Sequence, residues 1–280
     1  MTDKPKRVAF YFSPHEDDWQ LFMMPAAYRD VADDGVRCVF VHLTAGDAGL
    51  GLGNGGRKHP YYLAREHGAA AAIRFMAHGG GGHPVEPAVD APVYAGRTIR
   101  RISYRNTVAY FPRLPDGNPD GTGYEATGYQ SLKRLAEGAI ATMRAVDGSA
   151  RYADWSDLTA TLRALIIGES EGLVPDLHVP DLDAALNPGD HADHRATAKA
   201  VLDAAKGLPA RIVHHMGYAA AERPENLTAA DRDLKCAVYA VTVAGLLGLD
   251  HAASWRHYNE LFAGRDYWRE ERVGASGTDG

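Results

Sequence analysis

Residues 7–22 read RVAFYFSPHEDDWQLF, and this stretch decides the fold. Arg7 to Phe12 is a short apolar run of the kind that forms a buried strand. His15, Glu16, Asp17 and Asp18 then occupy four consecutive positions. Trp19, Phe22, Met23, Ala26 and Ala27 recur at helical spacing as far as Asp34-Gly35, a helix stop. Pro25 interrupts that helix, because an interior proline costs about 3 kcal/mol or kinks the backbone. VRCVFVHLT, residues 36–44, is a second strand. Strand, helix and strand joined by short connections make a βαβ unit and predict a parallel sheet. Open α/β sheets bind ligands beyond the carboxyl ends of their strands, which is where the His-Glu-Asp-Asp run falls. Carboxylates this close repel one another unless something positive lies between them.

Composition narrows the class. The chain has 280 residues, of which 45% are hydrophobic and 24% charged, an ordinary globular balance. A net charge of -6 argues against a nucleic-acid partner, which calls for a basic stripe. Cys38 and Cys236 are too few for a disulfide framework or a thiolate metal site, which fits a reducing cytoplasm. The first apolar run, VAFYF, is shorter than the roughly 7–15 residues of a signal peptide core. The longest, AVYAVTVAGLLGL from Ala237, is shorter than the roughly 18 residues of a membrane span. A cytoplasmic protein without a membrane span is expected.

Further along, AGDAGLGLGNGGRKHPYY (residues 45–62) is a glycine-rich loop, followed by an alanine-rich helix around Leu63 to Met76. Residues 77–92 read as a flexible connection. RTIRRISYRNTVAYF (residues 97–111) is β-like and ends in a turn-rich segment, so an inserted hairpin flap is expected over roughly 93–125. A helix around Trp155 to Ile167 with Asp154 as its cap, strands at VPDLHVPD and RIVHHMGY, and a long helix after Thr228 complete the pattern. The tail, residues 274–280, is disordered in composition. One domain is expected over 1–280.

A second histidine and acid cluster occurs in NPGDHADHRATAKAVLDAA, residues 187–205. His191, Asp193 and His194 follow Pro188-Gly189 and precede an apolar stripe (Ala196, Ala200, Val201, Ala204), again a loop running into a helix. In a parallel sheet two such loops meet at one edge. His15 and Asp18 from the first and His194 from the second make two imidazoles and one carboxylate, a cage for Zn²⁺ or Fe²⁺ that answers the repulsion among the acids.

PHEDDWQ followed by HADH, with TAGDAG after the second strand, resembles the paired motifs of the PIG-L/LmbE-like zinc-dependent N-acetylglucosaminyl de-N-acetylases. That family carries His-Pro-Asp-Asp-x-Glu and His-Pro-Asp-His. The resemblance implies a Rossmann-like fold, a mostly parallel sheet with helices on both faces. It implies one Zn²⁺ per chain held by His15, Asp18 and His194, and Asp17 as the general base. It makes His191 the group that stabilises the oxyanion or protonates the leaving amine. Asp193 is implied as a buttress for a histidine, and Asp47 as an acid near the substrate. Glu16 and Ala192 replace the two prolines, and Gln20 stands where the first motif ends in glutamate. Arg65 directly precedes Glu66, whereas the family's arginine lies three residues before a glutamate; Gln20 and Arg65 are placed beside the metal or the substrate. The HEDDWQ form and the Tyr/Arg hairpin are similar to the branch acting on glycopeptide-antibiotic pseudoaglycones of the teicoplanin type. The implied substrate is a small-molecule glycoconjugate.

Residue chemistry runs in the same direction. Adjacent side chains diverge, so Asp17 does not easily reach the cation that Asp18 ligates, and one ligand beside one free carboxylate suits a base-plus-metal hydrolysis. Other readings stay open. A solvated acidic loop capping a helix explains His15 to Asp18 taken alone. The substrate is alternatively a mycothiol- or bacillithiol-type precursor or another small amide, and from another class the chain is a non-catalytic sugar- or nucleotide-binding module. GLGNGG (residues 51–56) matches the G-x-G-x-x-G dinucleotide pattern but follows the second strand and opens no apolar helix, so it reads as a loop over the cavity mouth. His178, His214 and His215 read as packed strand residues. The arginines of the hairpin form either a solvated face or, with Tyr104, Tyr110 and Phe111, a lid.

Overall fold

The computed structural model describes residues 4–79, 81, 83–252 and 255–274; the tail expected to be disordered lies, past Gly274, outside them. In chain order the strands are β1 (Arg7–Ser13), β2 (Val36–His42), β3 (Ala88–Asp90), β4 (Val93–Tyr94), β5 (Arg97–Thr98), β6 (Arg100–Tyr104), β7 (Thr107–Phe111), β8 (Met143–Arg144), β9 (Arg151–Tyr152), β10 (Asp176–Pro180), β11 (Ala210–His215) and β12 (Trp268–Val273). The helices are α1 (Asp18–Phe22), α2 (Ala26–Val31), α3 (Tyr61–His78), α4 (Leu132–Ala136), α5 (Trp155–Ser170), α6 (Ala192–Ala205), α7 (Ala229–Gly248) and α8 (Trp255–Phe262).

Eight strands form one sheet in the order β12-β11-β10-β1-β2-β7-β6-β3. The five in the middle, β11 to β7, run parallel. β1 is covered on both faces because both faces of its run are apolar, as a central parallel strand requires. Val8, Phe10 and Phe12 pack with α5 and α6 residues such as Leu162, Leu165 and Val201. Ala9 and Tyr11 pack on the other face with α1, α3 and α7 residues including Trp19, Ile73 and Val238. Helices therefore lie on both faces of a mostly parallel sheet.

Local chemistry sets the boundaries. Asp154 and Thr228 cap α5 and α7 by accepting from the backbone N–H of Asp157 and Asp231. The single helix expected over Trp19 to Asp34 is divided: α1 stops at Phe22 and α2 begins after Pro25. The hairpin of residues 97–111 is present as β6 and β7, turning at Arg105-Asn106, and it is built into the sheet: β7 pairs in parallel with β2. The connection expected over 77–92 contains β3, which pairs with β6. Among the described residues no helix is long and apolar enough to cross a membrane.

The strand order places the site. From β1 the chain moves outward to β2 and later β7, then returns across the sheet to β10 on the opposite side of β1. The carboxyl ends of β1 and β10 flank this reversal, where an open α/β sheet leaves a crevice.

Candidate metal centre

The loop after β1 is wound so that the backbone N–H of His15 donates to Asp18 Oδ2 at 2.8 Å. The loop after β10 ends at His191, which caps α6: its Nδ1 accepts from the backbone N–H of Asp193 at 3.1 Å. These two turns bring the clusters together. His15 Nδ1 lies 3.1 Å from Asp18 Oδ2, and His194 Nε2 lies 3.3 Å from Asp18 Oδ1. One ligand atom from each of His15, Asp18 and His194 falls within 4.8 Å of the others, and all three residues are buried.

Each imidazole is backed by a carboxylate on its remaining nitrogen. His15 Nε2 is 3.4 Å from Asp193 Oδ2, and His194 Nδ1 is 3.0 Å from Asp190 Oδ1. Carboxylate-backed histidines are the usual arrangement around a bound metal, because the carboxylate sets the ring orientation and raises its basicity. Neither nitrogen of His194 makes a hydrogen bond of good geometry among the described residues, although the ring is buried. Two imidazoles and one carboxylate, oriented in this way, fit a divalent cation such as Zn²⁺.

The charge balance agrees. Burial opposes the Asp18 anion, but the rings of His194 and His15 outweigh it and hold the carboxyl well below its ordinary value. Burial likewise opposes a charged His194, yet Asp190 and Asp18 push it up to about 10. The cluster favours positive charge at its centre. Asp193, His191 and Asp116 form a further buried group around His15. Since that group shares His15 with the first, it reads as the surround of one centre.

A cavity of about 240 Å³ opens beside the cluster. Its lining includes His15, Asp17, Asp18 and His191, the loop residue Asp116, and a tyrosine wall of Tyr61, Tyr124, Tyr218, Tyr239 and Tyr258. Asp17, next to Asp18 in sequence, places its carboxylate against the Arg65 guanidinium. His191 is held down to about 4, by burial first and by His15 second. With Nδ1 accepting from the backbone, its proton resides on Nε2.

The remaining sequence-derived positions lie at different depths. Arg65 lines the cavity and contacts both Asp17 and Glu16. Asp193 is fully buried and accepts from the backbone N–H of Gly117 at 2.8 Å. Asp47 is fully buried and does not line the cavity: Oδ1 accepts from the N–H of Asp116 and Oδ2 from that of Gly51, so it ties the glycine loop to the loop after β7. Gln20 lies beneath the site, between the carbonyl of Glu16 and the hydroxyl of Thr242. His178 and His215 hydrogen bond to each other on neighbouring strands, and His214 pairs with Glu271.

Asp190 and Asp116 were not singled out from the sequence. Asp190 sits four residues before His194, a spacing that signals a helix-face pair only once His194 is known to point its second nitrogen that way. Asp116 carries no signal beyond its place in a turn-rich loop.

No family model matches the chain, and neither does any curated protein. Among solved structures it is similar to N,N'-diacetylchitobiose deacetylase from Pyrococcus horikoshii in complex with an inhibitor, with a TM-score of 0.46 and 15% identity over 92% of this chain and 76% of that one.

Proposed function

We propose that this protein is a zinc-dependent N-deacetylase, an amide hydrolase that removes the acetyl group from an N-acetylglucosamine moiety of a larger conjugate. One observation carries the reading. A buried His15, Asp18 and His194 cluster, with a carboxylate behind each ring, stands at a cavity that also receives an unligated Asp17 and a neutral His191. The paired motifs that resemble the PIG-L/LmbE-like deacetylases support the same assignment residue by residue.

His15, Asp18 and His194 hold the cation, one per chain. When bound, it supplies the Lewis acidity and water activation that amide hydrolysis needs at neutral pH. The chain does the rest. Asp17 takes a proton from the attacking water and returns it to the amide nitrogen as the C–N bond breaks, giving acetate and the free amine. His191 donates its Nε2 proton in a hydrogen bond to the oxygen on which negative charge develops. Asp193, bonded to Gly117, holds the His15 ring. The cavity accommodates one sugar ring with its acyl group, so the remainder of the conjugate extends past the tyrosines.

The narrower substrate we propose is a glycopeptide-antibiotic pseudoaglycone. Acetate release from such a pseudoaglycone, with free N-acetylglucosamine unreactive, is the expected result; the reverse preference sinks it. For the chemistry, His15→Ala is expected to lose bound metal. Asp17→Asn is expected to retain it while turnover falls by a factor of about 10²–10⁴, the usual share of a general base. Metal analysis and acetate release on the same preparations decide it, and an Asp17→Asn enzyme with undiminished turnover removes the base from the scheme.

A further inference from the structure

Glu16 has no role in the chemistry above, yet it is 1% exposed in a run of three acids. Its side chain reaches Arg65, whose Nε lies 3.1 Å from Glu16 Oε2. The same guanidinium donates from Nη1 to the carbonyl oxygen of Gly46 at 3.1 Å and from Nη2 to Asp17 Oδ1. Two nitrogens of one planar group thus hydrogen bond to two different acceptors while the third lies in ion-pair contact with Glu16, which fixes the fork in position and orientation. Asp17 needs such a hold. It occupies the N-cap position of α1 without capping it, so its carboxylate is not tethered to the helix start.

Gly46 shows how closely this arrangement is packed. Its φ is +49°, and a Cβ there would lie 2.6 Å from both Arg65 Nη1 and Glu16 Oε2. The backbone has yielded space to the Glu16–Arg65 contact.

We infer that Glu16 and Arg65 are a positioning pair for the proposed base: Glu16 locks the Arg65 guanidinium, and Arg65 holds the Asp17 carboxylate at the cavity wall. The role given to Asp17 rests on the function proposed above, whereas the clamp itself is a property of the fold. Arg65 acts through Asp17. A lysine there cannot reach three acceptors at once, and a loose base is costly, since a misplacement of about 1 Å lowers rate by about a hundredfold.

Two double-mutant cycles in urea unfolding test the clamp without turnover, one pairing Glu16→Ala with Arg65→Lys and the other Arg65→Lys with Asp17→Asn. Both cycles are expected to be non-additive, with one zinc per chain retained by the Glu16→Ala and Arg65→Lys proteins. Additive cycles, or loss of zinc from Glu16→Ala, overturn the inference. In kinetics, Glu16→Ala and Arg65→Lys are each expected to lower kcat by about tenfold to a hundredfold with little change in KM. Glu16→Gln recovers most of the loss, because a side chain of the same shape still packs its oxygen against the Arg65 guanidinium. A rise in KM at unchanged kcat assigns Arg65 to substrate binding and overturns the positioning role. If the wild-type protein hydrolyses no N-acetylated amino sugar, the proposed function fails, while the Arg65–Asp17 cycle still decides the clamp.

Discussion

Asp190 illustrates how much of this site depends on which way a ring faces. Its Oδ1 sits 3.0 Å from His194 Nδ1, and its Oδ2 accepts from Asn187 Nδ2 at 2.8 Å, so the carboxylate is itself held in place. Removing such a backing carboxylate loosens the ring and lowers its basicity without removing a ligand. Asp190→Asn is therefore expected to weaken the zinc binding proposed above by about tenfold to a hundredfold, as read by competition with a chromophoric chelator; unchanged affinity removes Asp190 from the proposed centre. Unlike Asp190, the residues proposed as ligands were legible in the sequence, because His15 and Asp18 are neighbours and His194 sits in a matching loop. The support behind them was not, since it depends on side-chain directions that spacing does not encode.

At the scale of elements, α3 and α7 pack with almost no separation at one point. A Cβ on Gly68 would lie 2.6 Å from Leu246 Cδ1 and 2.8 Å from the carbonyl oxygen of Thr242, and one on Gly245 would lie 2.7 Å from the Cα of Gly68. The close approach lets α7 present Thr242, Val243 and Leu246 to the cavity while Tyr61 and Arg65 of α3 line it from their own helix. Gly68→Ala is expected to overpack this crossing and destabilise the protein by about 1–3 kcal/mol in urea unfolding. An unchanged midpoint shows that the helices separate without cost. The capped helices and the arginine-rich hairpin were legible from caps, periodicity and alternation, which are local signals. The pairing of β7 with β2 was not, because a strand's partner is chosen by the helices and loops between them.

Across the whole molecule, the central strands bury further histidines, His42 and His178 among them. His178 stacks on Tyr11 at 4.4 Å between centroids and hydrogen bonds to His215 at 2.9 Å. Burial, reinforced by His215, keeps it well below its ordinary value of 6.5, and burial lowers His42 to about 3. Both values are depressed in the folded state, so below about 6.5 the unfolded chain binds more protons. Stability is then full above that pH and is lost as pH falls toward the folded values, by up to about 1.4 kcal/mol per pH unit for each histidine. Burial raises Glu16 to about 8, which acts in the opposite direction over the same range, so the effect of His178 is read by comparison. Between pH 7 and pH 4.5 the urea midpoint of His178→Phe, which keeps a ring against Tyr11, is expected to fall less than that of the wild type. A slope identical in the variant rules out His178 as a source.

By itself the sequence determined a parallel α/β core around RVAFYF and VRCVFVHLT, and two acidic histidine loops at strand ends. Apolar run length, turn residues and caps act over a few neighbours, and that range suffices for elements. Only the tertiary structure decided that the chain reverses between β1 and β10, so that loops about 175 residues apart share one crevice. Only it turned Glu16 toward Arg65, assigned Asp190 and Asp193 to the backs of two imidazoles, and withdrew Asp47 into a loop anchor. Those outcomes depend on which way each buried side chain points. That direction is set by the packing of neighbours distant in sequence, where an unpaired charge costs too much to leave without a partner.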